Sequence, residues 1–365
     1  MGFYSVSIRS GIRLTNARRK IRLFYRRHVR LTDRYSAKRN RPAMQQQETL
    51  ISHINEFLPG IDQTLSAAGV EVSERSMKAA MFFVDHLVLD VEGDTKENYL
   101  LKSWFKPIFG HIQYWYEKRY GQTKVHPNRF LAGVLKHHGA FFLLHIPLTV
   151  AKPQGDGTCW VTSAKDVLPG EDPASWMTNG PSLEQMPPKQ LAALRKEATN
   201  TATRLRGIRN HLMTADLPVV AVRAMANSVL RHLDKAAADL SAPGPEALSL
   251  SVWDLHMACE KVMKAYLNQQ GIPYEQTHNL RDLVATSPKT HDWSAVKTVL
   301  GHFPSEQRVM KWRYQEGGVP SLNDLWRFYD VALEVCSIYA ARMSRRFLLD
   351  NFSVQIRRPP WLESD

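Results

Sequence analysis

The sequence has only three cysteines in 365 residues, and they stand far apart. Cys159, Cys259 and Cys336 form no Cys-x-x-Cys motif, which argues against a zinc ribbon, a dithiol redox site and a disulfide framework. This cysteine usage is typical of a reducing cytoplasm. No segment approaches the roughly eighteen uninterrupted apolar residues that a membrane-spanning helix requires, so no membrane contact is expected.

Acidic residues are almost missing from residues 1–43. This segment holds thirteen Lys and Arg against Asp33 alone, whereas the rest of the chain is close to neutral. Such an arm suits contacts with nucleic-acid phosphates, and its Arg-rich, acid-poor composition also resembles an organelle transit peptide. Because Met44 precedes a clean amphipathic run and would serve as a natural start, the favoured interpretation of residues 1–43 is a disordered or even spuriously translated extension.

Residues 44–165 are predicted to form a small α+β domain. Apolar residues at three-to-four spacing predict three helices before Gly121, and the third, starting near Thr95, is expected to kink or divide at Pro107. Runs of apolar and β-branched residues then predict a three-stranded antiparallel meander packed on these helices. The predicted strands are 130–136, 141–151 and 158–162, with an Asp156-Gly157 turn before the last.

Prolines and glycines crowd residues 166–188, which predicts a linker between two domains. Residues 189–350 are predicted to be helical, so the protein as a whole is mostly α. The helices are expected at Lys189–Thr214, Val219–Leu240, Glu246–Gln270, Asn279–Ala285, Trp293–Leu300, Ser305–Tyr314 and Leu322 to about Leu349. In the third and the last of these, apolar residues repeat every three or four positions, a pattern typical of seams in a helical bundle.

Three motifs follow one another in the helical region. They are Ala258-Cys259-Glu260-Lys261-Val262-Met263-Lys264-Ala265-Tyr266-Leu267, then Thr277-His278-Asn279-Leu280, then Arg313-Tyr314 before a loop and Pro320-Ser321. In order and spacing they resemble the HEPN domain family, over about residues 218–344. The resemblance implies an up-and-down bundle of four or five helices that often dimerises and that binds nucleotide or RNA.

Basic and aromatic residues are most concentrated between Arg308 and Tyr314. Guanidinium groups can bind phosphate through two N–H groups while aromatic rings stack on a base, so a nucleotide or single-stranded RNA is predicted to bind here. The predicted binding residues are Lys261, Lys264, His278, Arg308, Lys311, Arg313 and Tyr314. In the alternative interpretation, Trp312 and Tyr314 point into the bundle and the basic residues only face water.

The first two motifs also have a purely structural interpretation. Glu260 and Lys264 lie one helical turn apart and would form an exposed ion pair, with Lys261 solvated. His278 would then only cap or contact the start of the next helix.

Catalytic members of the HEPN family carry an Arg followed, after four to six residues, by a His near the start of the helix before the last. No histidine follows His302 in this sequence, so Arg308 and Arg313 lack that partner. The spacing does occur at Arg206 and His211, which are therefore the candidate catalytic residues of a metal-independent endoribonuclease. The motifs predict binding without catalysis, with a ribonuclease toxin or defence effector and a structural dimerisation protein as alternatives.

No metal or cofactor is predicted. His137, His138, His145 and Asp156 lack supporting ligand spacing, and the chain has no Gly-rich phosphate loop or serine nucleophile elbow. Non-catalytic HEPN domains resemble the substrate-binding half of nucleotidyltransferases. The resemblance therefore implies a nucleotide or RNA ligand, a homodimer formed through the bundle or a partner nucleotidyltransferase, in a cytoplasmic and bacterial protein.

Overall fold

A computed structural model describes residues 43–125, 130–154 and 157–357. The chain consists of two compact units that divide between Asn128 and Arg129. The described part of the first unit is 43–125, and that of the second is 130–154 with 157–357. Residues 1–42 of the predicted basic arm lie outside the described residues, as does Asp156 of the predicted turn. No helix within the described ranges is both long and apolar enough to cross a bilayer.

Helices whose apolar sides meet in one core build the first unit. They are α1 (Ala43–Ala67), α2 (Val72–His86), α3 (Phe105–Tyr120) and the short α4 (Gln122–Val125), with a 3-10 turn at Tyr99–Leu101. Leu58, Val84 and Ile112 are fully buried where the three long helices pack. The prediction that α3 starts near Thr95 was wrong, because the helix starts at Phe105. Pro107 therefore lies in the first turn, where backbone N–H groups have no acceptor within the helix, and its missing N–H costs no hydrogen bond.

Two small antiparallel sheets belong to the second unit. Their strands are β1 (Phe130–His137), β2 (Ala140–Pro147), β3 (Thr149–Pro153), β4 (Thr158–Ser163) and β5 (Phe352–Arg357). β1 and β2 form a hairpin, and β4 lies between β3 and β5 in the second sheet. The predicted run 141–151 is divided at Leu148, which is not part of either strand. β5 was not predicted from the sequence.

Helices make up most of the second unit, which confirms the mostly α fold. They are α5 (Pro188–Thr214), α6 (Val220–Ser241), α7 (Pro245–Gln269), α8 (Leu280–Thr286), α9 (Ser294–Leu300), α10 (Glu306–Arg313) and α11 (Leu322–Ala341). Each begins and ends close to its predicted bounds except α11, which stops at Ala341 instead of near Leu349. Beyond α11 the backbone hydrogen-bonds to the end of α5, from Arg346 N to Thr214 O at 2.8 Å and from Asp216 N to Ser344 O at 2.8 Å.

The boundary between the units differs from the predicted linker at 166–188. Val134 and Leu144 of the β1–β2 hairpin lie in the same hydrophobic core as Leu205 of α5 and Leu233 of α6. The hairpin therefore belongs with the helices that follow it, and the Pro/Gly-rich segment lies inside the second unit.

Arg206 anchors that Pro/Gly-rich segment. Its guanidinium, 1% exposed, donates to the carbonyl oxygens of Pro147 at 3.0 Å and Asp166 at 2.9 Å and to both carboxylate oxygens of Glu171 at 2.7 and 2.8 Å. It also lies 4.9 Å from the ring centroid of Trp176. A segment with this many charge-assisted contacts to a buried group is fixed in place, although its composition is that of a linker.

Side chains from two helices satisfy the outer edge of β1. Asp234 of α6 accepts from the backbone N of Ala132 at 2.8 Å, and the hydroxyl of Tyr329 on α11 accepts from that of Val134 at 3.3 Å. An unpaired strand edge is thereby covered within the unit. Burial raises the pKa of Asp234 to about 6, against the opposing effect of the hydrogen bond from Ala132.

Asp234→Asn is expected to stabilise the protein at pH 8, because the amide oxygen still accepts from Ala132 and no charge has to be buried. Since the folded-state pKa is raised, the contribution of Asp234 to stability is complete near pH 4 and is lost as the pH rises through about 6. The gain should be on the order of 2 kcal/mol at pH 8 and should shrink below pH 6. Urea unfolding across this pH range measures it.

Glu184→Gln is the matched control, because Glu184 is an exposed carboxyl of the same unit. Its unfolding free energy should stay within about 0.5 kcal/mol of the unmodified protein at every pH. A pH-independent effect of Asp234→Asn would contradict the shifted titration of Asp234.

Candidate functional site

Helix α7 presents two different sides. Leu255, Cys259, Val262 and Tyr266 form the predicted bundle seam and are fully buried. A second side carries Trp253, His256, Glu260 and Lys264, which recur at spacings of three and four and therefore share one face of the helix. His256 and Glu260 of this second face contact the chain before α8, and Trp253 contacts the end of α10.

Glu260 is the centre of this polar face. Its two carboxylate oxygens accept from Lys264 Nζ at 2.8 Å and from His278 Nδ1 at 2.9 Å. Glu260 is 4% exposed and Lys264 is 7% exposed, so the predicted exposed pair is wrong: the pair is buried. Burial alone raises the pKa of Glu260, but the hydrogen bonds from Lys264 and His278 outweigh it and hold the pKa below its usual value.

His278 does not cap the next helix. The cap of α8 is Asn279, whose side chain accepts from the backbone N of Arg281 at 3.1 Å. The imidazole of His278 instead donates through Nδ1 to Glu260, and its side chain is about half exposed. The segment between α7 and α8 is thus held to α7 by a side chain that the sequence identified for a different role.

His256 contacts both the segment that carries His278 and the ring of Trp253. Its Nε2 donates to the carbonyl of His278 at 2.9 Å, and its ring lies nearly parallel to that of Trp253 with centroids 6.2 Å apart. Burial lowers the pKa of His256, with a smaller opposing effect from Glu260, so the ring is neutral near pH 7. With Nε2 as the donor, Nδ1 is a buried acceptor that has no donor among the described residues.

Helix α10 brings Arg313 to this end of the face, whereas Arg308 and Lys311 lie on other sides of that helix. The guanidinium of Arg313 lies 4.0 Å from the ring centroid of Trp253 and 5.8 Å from that of Tyr314, and that of Arg308 lies 4.9 Å from Trp312. Trp312 is buried, whereas Tyr314 is 63% exposed. The interpretation in which both rings point into the bundle therefore holds for Trp312 alone. Arg308, Lys311 and Arg313 form no ion pair with any residue in the described ranges.

Lys261 lies on the other edge of the polar face, towards α6. Its Nζ hydrogen-bonds His232 Nε2 at 2.8 Å, and His232 Nδ1 lies 2.7 Å from Asp254 Oδ1. Asp254 also pairs with Lys235 at 3.0 Å. Burial raises the pKa of Asp254, but the hydrogen bonds from His232 and Lys235 outweigh it and keep the pKa low. Lys261 is therefore held in place by a series of side-chain hydrogen bonds and is not simply solvated.

The candidate catalytic pair is not assembled as a reaction site. Arg206 is buried and fully engaged with Pro147, Asp166 and Glu171, so an RNA backbone has no access to it. His211 is half-buried, and burial, with smaller effects from Arg345 and Lys165, lowers its pKa. Arg204, the other arginine with this spacing, pairs with Asp330 and Glu334.

Five residues of the site were not identified from the sequence: Trp253, His256, Tyr274, His232 and Asp254. Tyr274 receives a hydrogen bond from Asn268 at 2.8 Å, and its ring lies 5.8 Å from Lys264 Nζ. The spacing of Trp253, His256, Glu260 and Lys264 was a readable signal, since it forms a second periodic face on a helix whose apolar seam was already assigned.

No group of three or more His, Cys, Asp or Glu able to hold a metal is found in the described part of the chain. The chain matches no family model, no curated protein and no solved structure. The resemblance to HEPN domains therefore stays a prediction that rests on the three motifs.

Glu260→Ala is expected to lower the free energy of unfolding by about 3 kcal/mol or more, because it leaves the Lys264 ammonium buried without a counter-charge. The double substitution Glu260→Met with Lys264→Met should recover much of that loss, since no charge then remains buried. Urea titration followed by circular dichroism measures both.

The first unit offers a matched control with the same spacing. Glu74 and Lys78 form an exposed pair at 2.6 Å on α2. Glu74→Ala should cost less than about 1 kcal/mol. Equal losses for Glu74→Ala and Glu260→Ala would show that burial of the Glu260 pair is not energetically significant.

Proposed function

We propose that the protein binds a nucleotide or single-stranded RNA through the side of the second unit formed by α7 and α10, here called the α7–α10 face. Its centre is the contact between Trp253 and Arg313, with Tyr314 beside it, and the predicted binding residues Lys261, Lys264 and His278 lie along α7 and before α8. Arg308 and Lys311 would contribute from the adjoining sides of α10. The face supplies cations for phosphate and an exposed aromatic ring for a base, the combination that single-stranded nucleic-acid sites use.

The observation that carries this proposal is the position of Arg313. Its guanidinium lies 4.0 Å from the Trp253 ring centroid, is exposed, and has no carboxylate partner within the described ranges. Stacking on an indole restricts the guanidinium while its N–H groups stay free at the edge. An oriented and unpaired guanidinium is suited to bind phosphate through two hydrogen bonds.

The rest of the face is compatible with an anion. The Glu260 carboxylate at the centre of the polar side chains is already neutralised by Lys264 and receives a second hydrogen bond from His278. It therefore opposes an incoming phosphate less than a free carboxylate would. Tyr314, 63% exposed beside Arg313, provides a ring on which a base can stack.

Binding without catalysis is the form of this proposal. The ribonuclease alternative depended on Arg206 and His211, and the burial of Arg206 gives it no support. The resemblance to HEPN domains, the homodimer through the bundle and the partner nucleotidyltransferase remain predictions.

Arg313→Ala is expected to weaken binding of ATP, GTP or a short single-stranded RNA about tenfold, because it removes one charge-assisted contact. Arg313→Lys should give an intermediate loss, since the charge remains without the stacked plane. Isothermal titration calorimetry with the full chain measures each affinity.

Lys189→Ala serves as the control, because Lys189 is an exposed cation at the start of α5 in the same unit. Its affinities should match those of the unmodified protein. Absence of binding for all three ligands, or equal losses for Lys189→Ala and Arg313→Ala, would reject the α7–α10 face as the binding site.

A further inference from the structure

The end of α3 in the first unit carries a second group of aromatic rings and cations. Lys118 Nζ lies 5.2 Å from the ring centroid of Tyr114, and the Arg119 guanidinium lies 5.1 Å from that of Trp115. Arg119 also lies 5.7 Å from the ring centroid of Tyr120. Tyr114 is 56% exposed, and Lys118 and Arg119 are exposed as well.

The spacing arranges these residues in two neighbouring rows. Tyr114 with Lys118 and Trp115 with Arg119 are each separated by four positions, so each cation lies one turn beyond its ring. The two rows are offset by a single residue, which separates them by about 100° around the helix axis. The end of α3 thus presents two rings, each with its own cation, on adjoining sides of the helix.

A buried charge network fixes this end of α3. Asp62 of α1 is buried and pairs with Arg75 of α2 at 3.2 Å, and it accepts a hydrogen bond from the Tyr120 hydroxyl. Arg119 lies 3.4 Å from the same carboxylate. Since the two guanidinium groups of Arg75 and Arg119 share the single carboxylate of Asp62, this network keeps one net positive charge. Lys118 forms no ion pair with the described residues.

Helix geometry explains only part of this arrangement. Cations in the last turn complement the partial negative charge of a helix C-terminus, which accounts for Lys118 and Arg119. It does not account for a tyrosine that leaves more than half of its surface in water beside them. An acidic peptide would use the cations but would have no need of the ring, whereas a nucleobase stacks on it while its phosphate contacts the cation.

We propose that this surface, defined by Tyr114, Trp115, Lys118 and Arg119, is a second binding site for single-stranded nucleic acid. The ligand class rests on the proposed function of the second unit, but the residues are separate. Since both units belong to one chain, each site contributes to the affinity that is measured for the full protein.

The test uses the full chain with two fluorescent probes, a twelve-nucleotide oligo(U) and an oligo(dT) of equal length. Fluorescence anisotropy at several salt concentrations gives both the affinity and its salt dependence. Tyr114→Ala with Lys118→Ala should weaken binding about tenfold, and the loss of one phosphate contact should reduce the salt slope by about one. Tyr114→Phe should keep full affinity, because the ring and not the hydroxyl stacks on the base.

Lys78→Ala is the charge-matched control, since Lys78 is exposed on α2 of the same unit and pairs with Glu74. Unchanged affinity and salt slope in the Tyr114/Lys118 variant, with a loss in Arg313→Ala, would overturn this inference and leave the proposed function standing. A loss in the Tyr114/Lys118 variant but none in Arg313→Ala would reject the proposed function alone.

Two further outcomes decide the ligand class. If neither probe binds the unmodified protein, this inference is rejected, and the proposed function is then decided by the titrations with ATP and GTP. If a duplex of the same length competes as well as the single strands, stacking on Tyr114 is rejected, because paired bases do not offer a free face. Equal binding of oligo(U) and oligo(dT) would support recognition through stacking and phosphate, the chemistry that the two nucleic acids share.

Discussion

The carboxylate of Glu260 lies within the helical bundle and has to be neutralised there. A buried charge without a partner would cost several kcal/mol, so Lys264 and His278 are held against it. His278 brings the start of α8 onto α7, and its carbonyl in turn accepts from His256. The arrangement of the polar face of α7 follows from the need to satisfy one carboxylate.

The helices of the second unit were predictable because their signals are local. The seams of α7 and α11 repeat every three or four residues, and the start of α11 carries a cap in which Ser321 accepts from the backbone N of Asp324 at 3.1 Å. The end of α11 was not predictable in the same way. Its sequence could continue as a helix, but Arg345 hydrogen-bonds to Thr214 and Asn210 on α5, which are distant in sequence.

The misplaced domain boundary has a similar cause. Proline and glycine report that a segment lacks regular backbone hydrogen bonds, but they do not report whether it is packed. Residues 166–176 contain no regular element except a 3-10 turn at Pro173–Trp176, and they are nevertheless fixed by Arg206. Composition identifies this residue of α5 only as one more basic side chain. Only the tertiary structure distinguishes an anchored irregular segment from a linker.

At the candidate site the sequence identified the cations of α10 but not what they contact. Trp253 is sixty residues from Arg313 in the chain, and their stacking depends on how α10 packs on α7. The burial of Glu260 and Lys264 likewise depends on where the chain before α8 lies. Local spacing specifies which residues share a helix face, and the packing of other elements decides whether that face is exposed.

The arginines of α10 differ from many others in the second unit because no carboxylate of the described residues neutralises them. Outside residues 1–43 the chain is close to neutral, so its overall field attracts a polyanion only weakly. Many arginines of the second unit are occupied by carboxylates, among them Arg195, Arg204 and Arg346. Those of α10 contact aromatic rings instead, which orient a guanidinium without neutralising it. Binding at such a face would depend on short-range contacts that slow dissociation more than on electrostatic steering that speeds association.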